Sequence, residues 1–274
     1  MLNTAQDNPH HRAMFTLPEI RVSAETVPAL QELPPQRVVT GDKEVDAVLW
    51  LREIISTGQP GPIATAMEAA RKIKTPINEL EKRYTRLLSA ANPGNWAVTF
   101  QSFGFADLEG LAERSVERSR RQVEAMTRFP GDSIWSNTPA EEFCVAALKR
   151  CRGFKGCHDY DHVAVEKRFR KQAVLMPATL ADCVYELKYW NDLYRLRHAL
   201  GDAGDSLDEV SVREWFVFGL LAEIKPRSHE EAKSVYQWII TQDKTNDDEY
   251  DAIIGNLLDH PGLSSEIKVQ AAPL

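Results

Sequence analysis

The stretch Ser228-His229-Glu230-Glu231-Ala232-Lys233-Ser234-Val235-Tyr236-Gln237-Trp238-Ile239-Ile240 decides the fold class. It opens on a capping-box pattern, in which a Ser or Thr oxygen and a carboxylate three residues later satisfy each other's backbone donors. Ala232, Val235, Tyr236, Ile239 and Ile240 then recur at the spacing of one helical face. The pattern returns downstream. Asn246-Asp247-Asp248-Glu249 is a looser start signal, followed by Tyr250, Ile253, Ile254, Leu257 and Leu258, and His260-Pro261-Gly262 is a stop. Upstream, Thr138-Pro139-Ala140-Glu141 and Ser206-Leu207-Asp208-Glu209 repeat the box, and a longer period runs from Ala178 to about Leu200 through Leu180, Cys183, Val184, Leu187 and Tyr194. These periods are helical, so the chain reads as all-α, a bundle-like array of many helices.

The front half follows the same rule with shorter elements. Val45, Val48, Leu49 and Ile55 give a helix that Thr57-Gly58-Gln59-Pro60-Gly61-Pro62 interrupts, and Ile63, Ala66, Met67 and Ala70 give a second. A third opens with Thr75 as N-cap and Pro76 at its first position, and Ile77, Leu80, Tyr84 and Leu87 form its apolar side. Six basic residues lie between Arg71 and Arg86, against Glu79 and Glu81. Two short helices ending in a basic one resemble the helix-turn-helix arrangement that enters a DNA major groove. The turn is short and lacks the usual Gly. Under this reading Arg71, Lys72, Lys74, Lys82, Arg83 and Arg86 are the phosphate contacts, and Thr75 and Asn78 the polar base or backbone contacts. Trp96-Ala97-Val98-Thr99-Phe100 reads as a short strand, and Ala106 to Arg128 as a long polar helix.

These elements divide the chain into a disordered or loosely docked tail over 1–41, a front helical subdomain over 42–129 and a rear helical domain over 138–274. The tail is interrupted by Pro9, Pro18, Pro28, Pro34 and Pro35, with Leu17, Ile20, Val22, Val27 and Leu30 as its available anchors. At 274 residues, 43% hydrophobic and 27% charged, the chain has the composition of a globular protein. Its net charge of −7 is unevenly placed: from Gln172 onward nine Lys and Arg face eighteen Asp and Glu, whereas the first 171 residues hold 24 and 22. The front can therefore carry a basic face and the rear a solvated or partner-binding acidic one.

Four cysteines, a polar start from Met1 to Arg12 and the lack of a long apolar run point to a cytoplasmic chain with free thiols and no membrane span. Cys151, Cys157, His158 and His162 are the only residues that come near a zinc-like spacing, and they are weak metal candidates. The cysteine pair is loose, and Cys157 and His158 are adjacent. His158-Asp159 resembles the metal-binding pair of helical phosphohydrolases, but the only upstream histidines are His10 and His11 in the tail. A second basic run, from Lys149 to Lys171, is interleaved with Phe154, Tyr160 and Phe169 and could extend a phosphate-binding face. No phosphate-binding glycine loop, nucleophile elbow or zinc-protease motif occurs. The expectation is a non-enzymatic cytoplasmic regulator without a cofactor, binding nucleic acid through its front half. The alternative is a helical adapter that binds a protein partner or a second copy of itself, and a metal-dependent protein built on Cys151–His162 comes third.

Overall fold

The structure, a computed structural model, describes residues 4–21, 32–201 and 203–259, and it is all-α apart from one small hairpin. It divides into two compact units, residues 20–127 and residues 1–19 with 128–274.

In the front unit, α2 (Lys43–Ser56) starts where the Asp42 carboxylate accepts from the backbone N–H groups of Glu44 and Val45. Val45, Val48, Leu51, Ile54 and Ile55 form its buried stripe. Gly58 then turns the chain at φ +71°, pressed so close to α5 (Leu108–Arg128) that a Cβ there would sit 2.5 Å from the Ser115 carbonyl oxygen. α3 (Pro60–Arg71) contributes Ile63 and Ala66 to the core, and α4 (Ile77–Ala91) contributes Leu80. The third helix begins one residue later than a Thr75 N-cap would place it. Pro76 occupies the cap position, and Thr75 instead donates its hydroxyl to the Glu44 carboxylate at 2.8 Å.

The segment Trp96–Ser102 is a 3₁₀ helix rather than the expected strand. Among the described residues no neighbouring strand offers it a ladder, so its polar groups are satisfied locally. Thr99 donates to the Trp96 carbonyl and Ser102 to the Thr99 carbonyl, while the Thr85 hydroxyl of α4 donates to Ser102.

The rear unit is built on α8 (Leu180–Leu200), which packs against α9 (Asp208–Glu223) and α10 (His229–Thr241); α6 (Pro139–Leu148) and α11 (Tyr250–Leu258) lie on α9, and α7 (His162–Arg170) lies on α6. Only the Thr138–Glu141 start is a complete capping box. At Ser228 the hydroxyl cap forms, but the Glu231 carboxylate is drawn to the Arg227 guanidinium and the Ala181 N–H. α9 begins after Leu207, and α11 after Glu249, with no side-chain cap, so the Ser206 and Asn246 signals are not used. The apolar stripes are also narrower than their spacing suggests, since Tyr236, Ile240 and Leu258 remain exposed. β1 (Phe154–Gly156) and β2 (Asp159–Tyr160) form an antiparallel hairpin that no helical period could signal.

Near the start of the chain, α1 (Pro9–Met14) is bound into the rear unit's core. Its anchors are His11 and Phe15, both fully buried, rather than Leu17 and Ile20; Val22, Val27 and Leu30 lie outside the described residues. His11 Nε2 is 2.7 Å from a Glu186 oxygen, and Arg213 donates to both Glu186 oxygens at 2.7 and 2.8 Å. The buried guanidinium is surrounded by the rings of Phe15, Phe143, Phe169 and Phe216, at 5.1–5.7 Å. Asn8 N–H and Arg12 also donate to the buried Asp182 carboxylate. An ion pair removed from water is tolerable when the carboxylate's lone pairs are met in this way, as those of Glu186 are; His11 Nδ1 is buried without a partner.

Candidate nucleic-acid interface

The eight residues singled out from sequence fall on one part of the front unit, but they are not equivalent. In α4, Asn78, Lys82 and Arg86 are exposed and recur every four residues, so they share one face. Leu80 points the opposite way into the core, with Ile77, Tyr84 and Leu87 half-buried against it. Arg71 ends α3, and Lys72 and Lys74 lie in the α3–α4 turn, all three exposed. Among the described residues the side chains of Arg71, Lys72, Lys74 and Arg86 have no acidic partner; Lys82 lies 3.7 Å from Glu79, a distant pair on the same face.

Two members are already engaged and leave the candidate surface. The Arg83 guanidinium lies 3.1 Å from Glu44 and 3.6 Å from Asp42, and Thr75 is held by the same Glu44. Both tie the start of α4 to the start of α2, which is a structural duty. The position of α2 follows from its lead-in. Burial raises the Asp46 carboxyl, but donation from the Thr40 hydroxyl and from the Thr40 and Gly41 N–H groups outweighs it and holds the group below the usual carboxylate range.

The second basic run belongs to the rear unit. Phe169 is wholly buried, and Phe154 and Tyr160 pack on the rear core, so none of the three is a stacking platform. Arg170 pairs with Glu223, Lys155 with Asp159, and Arg168 donates to the Arg150 carbonyl. The four metal candidates are dispersed in role. Cys151 is buried in the core, His158 and His162 are exposed, and Cys157 is half-buried with its thiol pushed up by a hydrogen bond to Asp208. No three His, Cys, Asp or Glu side chains among the described residues are grouped to hold a metal ion.

Sequence reasoning missed an exposed aromatic cluster. Trp96, Phe100 and Phe103 are 74%, 50% and 70% exposed and touch edge-to-face, with ring centroids 5.4 and 5.0 Å apart. Its signal was present: from Leu87 to Ala106 no residue is charged, and Trp96 and Phe100 are four apart. No known protein family, curated protein or solved structure matches this chain. Among the described residues, no helix is long and apolar enough to cross a membrane.

Proposed function

We propose that the chain is a non-enzymatic cytoplasmic regulator whose front unit binds nucleic acid through the exposed face of α4 and the α3–α4 turn. The observation that carries this reading is the set of four cations without acidic partners, Arg71, Lys72, Lys74 and Arg86, around a helix face that also presents Asn78 and Lys82. Cations left without protein partners can neutralise phosphates and release counterions, the main source of affinity for a nucleic-acid backbone. Asn78, near the front of the helix, is placed for a polar contact to a base edge or a phosphate. Helix α2 packs on both α3 and α4, so it supports the two helices that flank the basic turn. The test is a mobility-shift titration of the full chain on duplex and single-stranded DNA at low salt. The variant Arg71→Ala/Lys72→Ala/Lys74→Ala/Arg86→Ala should lose binding while keeping its circular dichroism. Equal binding by the variant would overturn the reading.

The second reading, a helical adapter without a nucleic-acid role, draws on the Trp96, Phe100 and Phe103 cluster. Its favoured partner is a second copy of the chain. A two-fold contact sets a patch against itself, and a stretch without charge meets no like-charge repulsion there. Sedimentation velocity decides it: association abolished by Trp96→Ser/Phe103→Ser supports the adapter, and a monomeric wild type removes it.

A further inference from the structure

A cavity of about 450 Å³ opens in the rear unit between α9, α10 and the loop before α11. That volume lies within the range of small-molecule sites, roughly 300–1,000 Å³. Its walls are aromatic. Tyr160 and Trp215 stack with centroids 6.2 Å apart and planes 20° apart, and Phe218 and Trp238 lie 6.4 Å apart. Four carboxylates, Glu214, Asp247, Asp248 and Glu249, line the cavity against one ammonium, Lys244.

Two polar groups in this lining lack partners. Trp238 is nine-tenths buried and its indole Nε1–H meets no acceptor. Glu214, on α9, makes no hydrogen bond or ion pair among the described residues, although it is largely removed from water. Glu214 is therefore a carboxylate of the cavity wall that the protein itself leaves without a hydrogen-bond partner. The chain itself demonstrates what the walls accept: the Lys244 ammonium lies 5.8 Å over the Phe218 ring and 3.5 Å from Asp247.

We propose that this cavity binds a small organic cation, an alkylamine or guanidinium compound, with the charge between the aromatic walls and Glu214. Aromatic faces attract a cation through their quadrupole, most strongly when water is excluded, and a carboxylate supplies the opposite charge. The site's electrostatics agree. Burial pushes the Glu214 carboxyl above its ordinary range, with Lys244 offsetting this only in part, and an arriving cation would draw it back down. The Asn191 amide, which donates to Gln242 at 3.2 Å, adds a polar rim.

The experiment is calorimetric titration of the full chain with agmatine, with tetramethylammonium, and with n-butylurea as a neutral guanidine analogue, alongside tryptophan fluorescence. No nucleic acid is present, so this result is independent of the DNA-binding reading. The expected result is saturable agmatine binding with Kd of about 1 mM or tighter, and at least about tenfold weaker binding of butylurea. Glu214→Gln, which preserves shape, should weaken agmatine at least about tenfold, and Trp215→Ala should weaken it with unchanged circular dichroism. Asp259→Asn, a substitution on an exposed carboxylate outside the cavity, should leave it intact. The proposal is overturned if neither cation binds up to about 10 mM, if butylurea binds as well as agmatine, or if Glu214→Gln and Asp247→Asn both bind like wild type.

Discussion

Replacing Arg213 with Met strands a carboxylate in the core of the rear unit. Glu186 and Arg213 are both 0% exposed, and Arg213 supplies two of the short bonds that Glu186 accepts, at 2.7 and 2.8 Å. What remains is His11 at 2.7 Å and a longer contact to Trp190 at 3.3 Å. Removing one partner of a buried pair costs roughly 3–5 kcal/mol, because the survivor stays desolvated without its counter-charge. The four phenyl rings around the guanidinium can close on a Met thioether, so packing itself is nearly preserved. The double variant Arg213→Met/Glu186→Leu removes both charges and should recover all but about 1–2 kcal/mol.

Acidity gives a second check. In the wild type burial raises the Glu186 carboxyl, but Arg213 outweighs it and the folded-state value lies below the ordinary 4.5. That contribution is present above pH 4.5 and is lost as pH falls through the lowered value. Without Arg213 burial prevails, the sign reverses, and the variant's deficit should shrink as pH falls from neutral. Urea unfolding followed by circular dichroism, with hydrogen exchange on α8 amides, measures all three proteins. A single variant costing less than about 1 kcal/mol, or a double variant as unstable as the single, would refute this reasoning.

Gly58→Ala should destabilise the front unit by roughly 2–4 kcal/mol, from the left-handed backbone together with a Cβ 2.5 Å from the Ser115 oxygen. Gly41→Ala, at φ +84° but in open space, should cost only about 1 kcal/mol, so similar melting shifts for the two would contradict the packing described. The Tyr189 hydroxyl, which donates to Thr138, is pushed up to about 12 by burial. Its contribution is therefore complete below pH 10.0 and lost as pH rises toward 12, and ultraviolet titration should show a late phenolate that Tyr189→Phe removes.

The helices were legible because an amphipathic period reports burial directly, as Val235 and Ile239 or Ile253 and Leu257 illustrate. Caps were legible only in part, and competition for the capping carboxylate did not by itself decide which formed. Thr138–Glu141 kept its box, although Arg197 also holds Glu141, whereas Arg227 drew Glu231 away from Ser228. Long-range contacts left no local trace. Nothing in Asn8–Phe15 announces that His11 will meet Glu186, 175 residues later, or that Thr75 will meet Glu44. The same holds for the candidate sites. The cations of the α3–α4 region were visible as a charge run, but the capture of Arg83 needed the fold. The rear cavity draws Tyr160, Glu214, Trp238 and Asp247 from separate elements, so no single window of sequence contains it.

The most direct test of the nucleic-acid reading is the salt dependence of binding, by fluorescence anisotropy of the full chain on labelled duplex DNA. If Arg71, Lys72, Lys74, Lys82 and Arg86 each neutralise a phosphate, log K against log salt should fall with a slope of about −4 to −5. Lys82→Ala/Arg86→Ala should then reduce that slope by about two, with the protein still folded. Absence of binding near 50 mM salt, roughly the lower end of the useful range, would contradict the account, as would a slope the two substitutions leave unchanged.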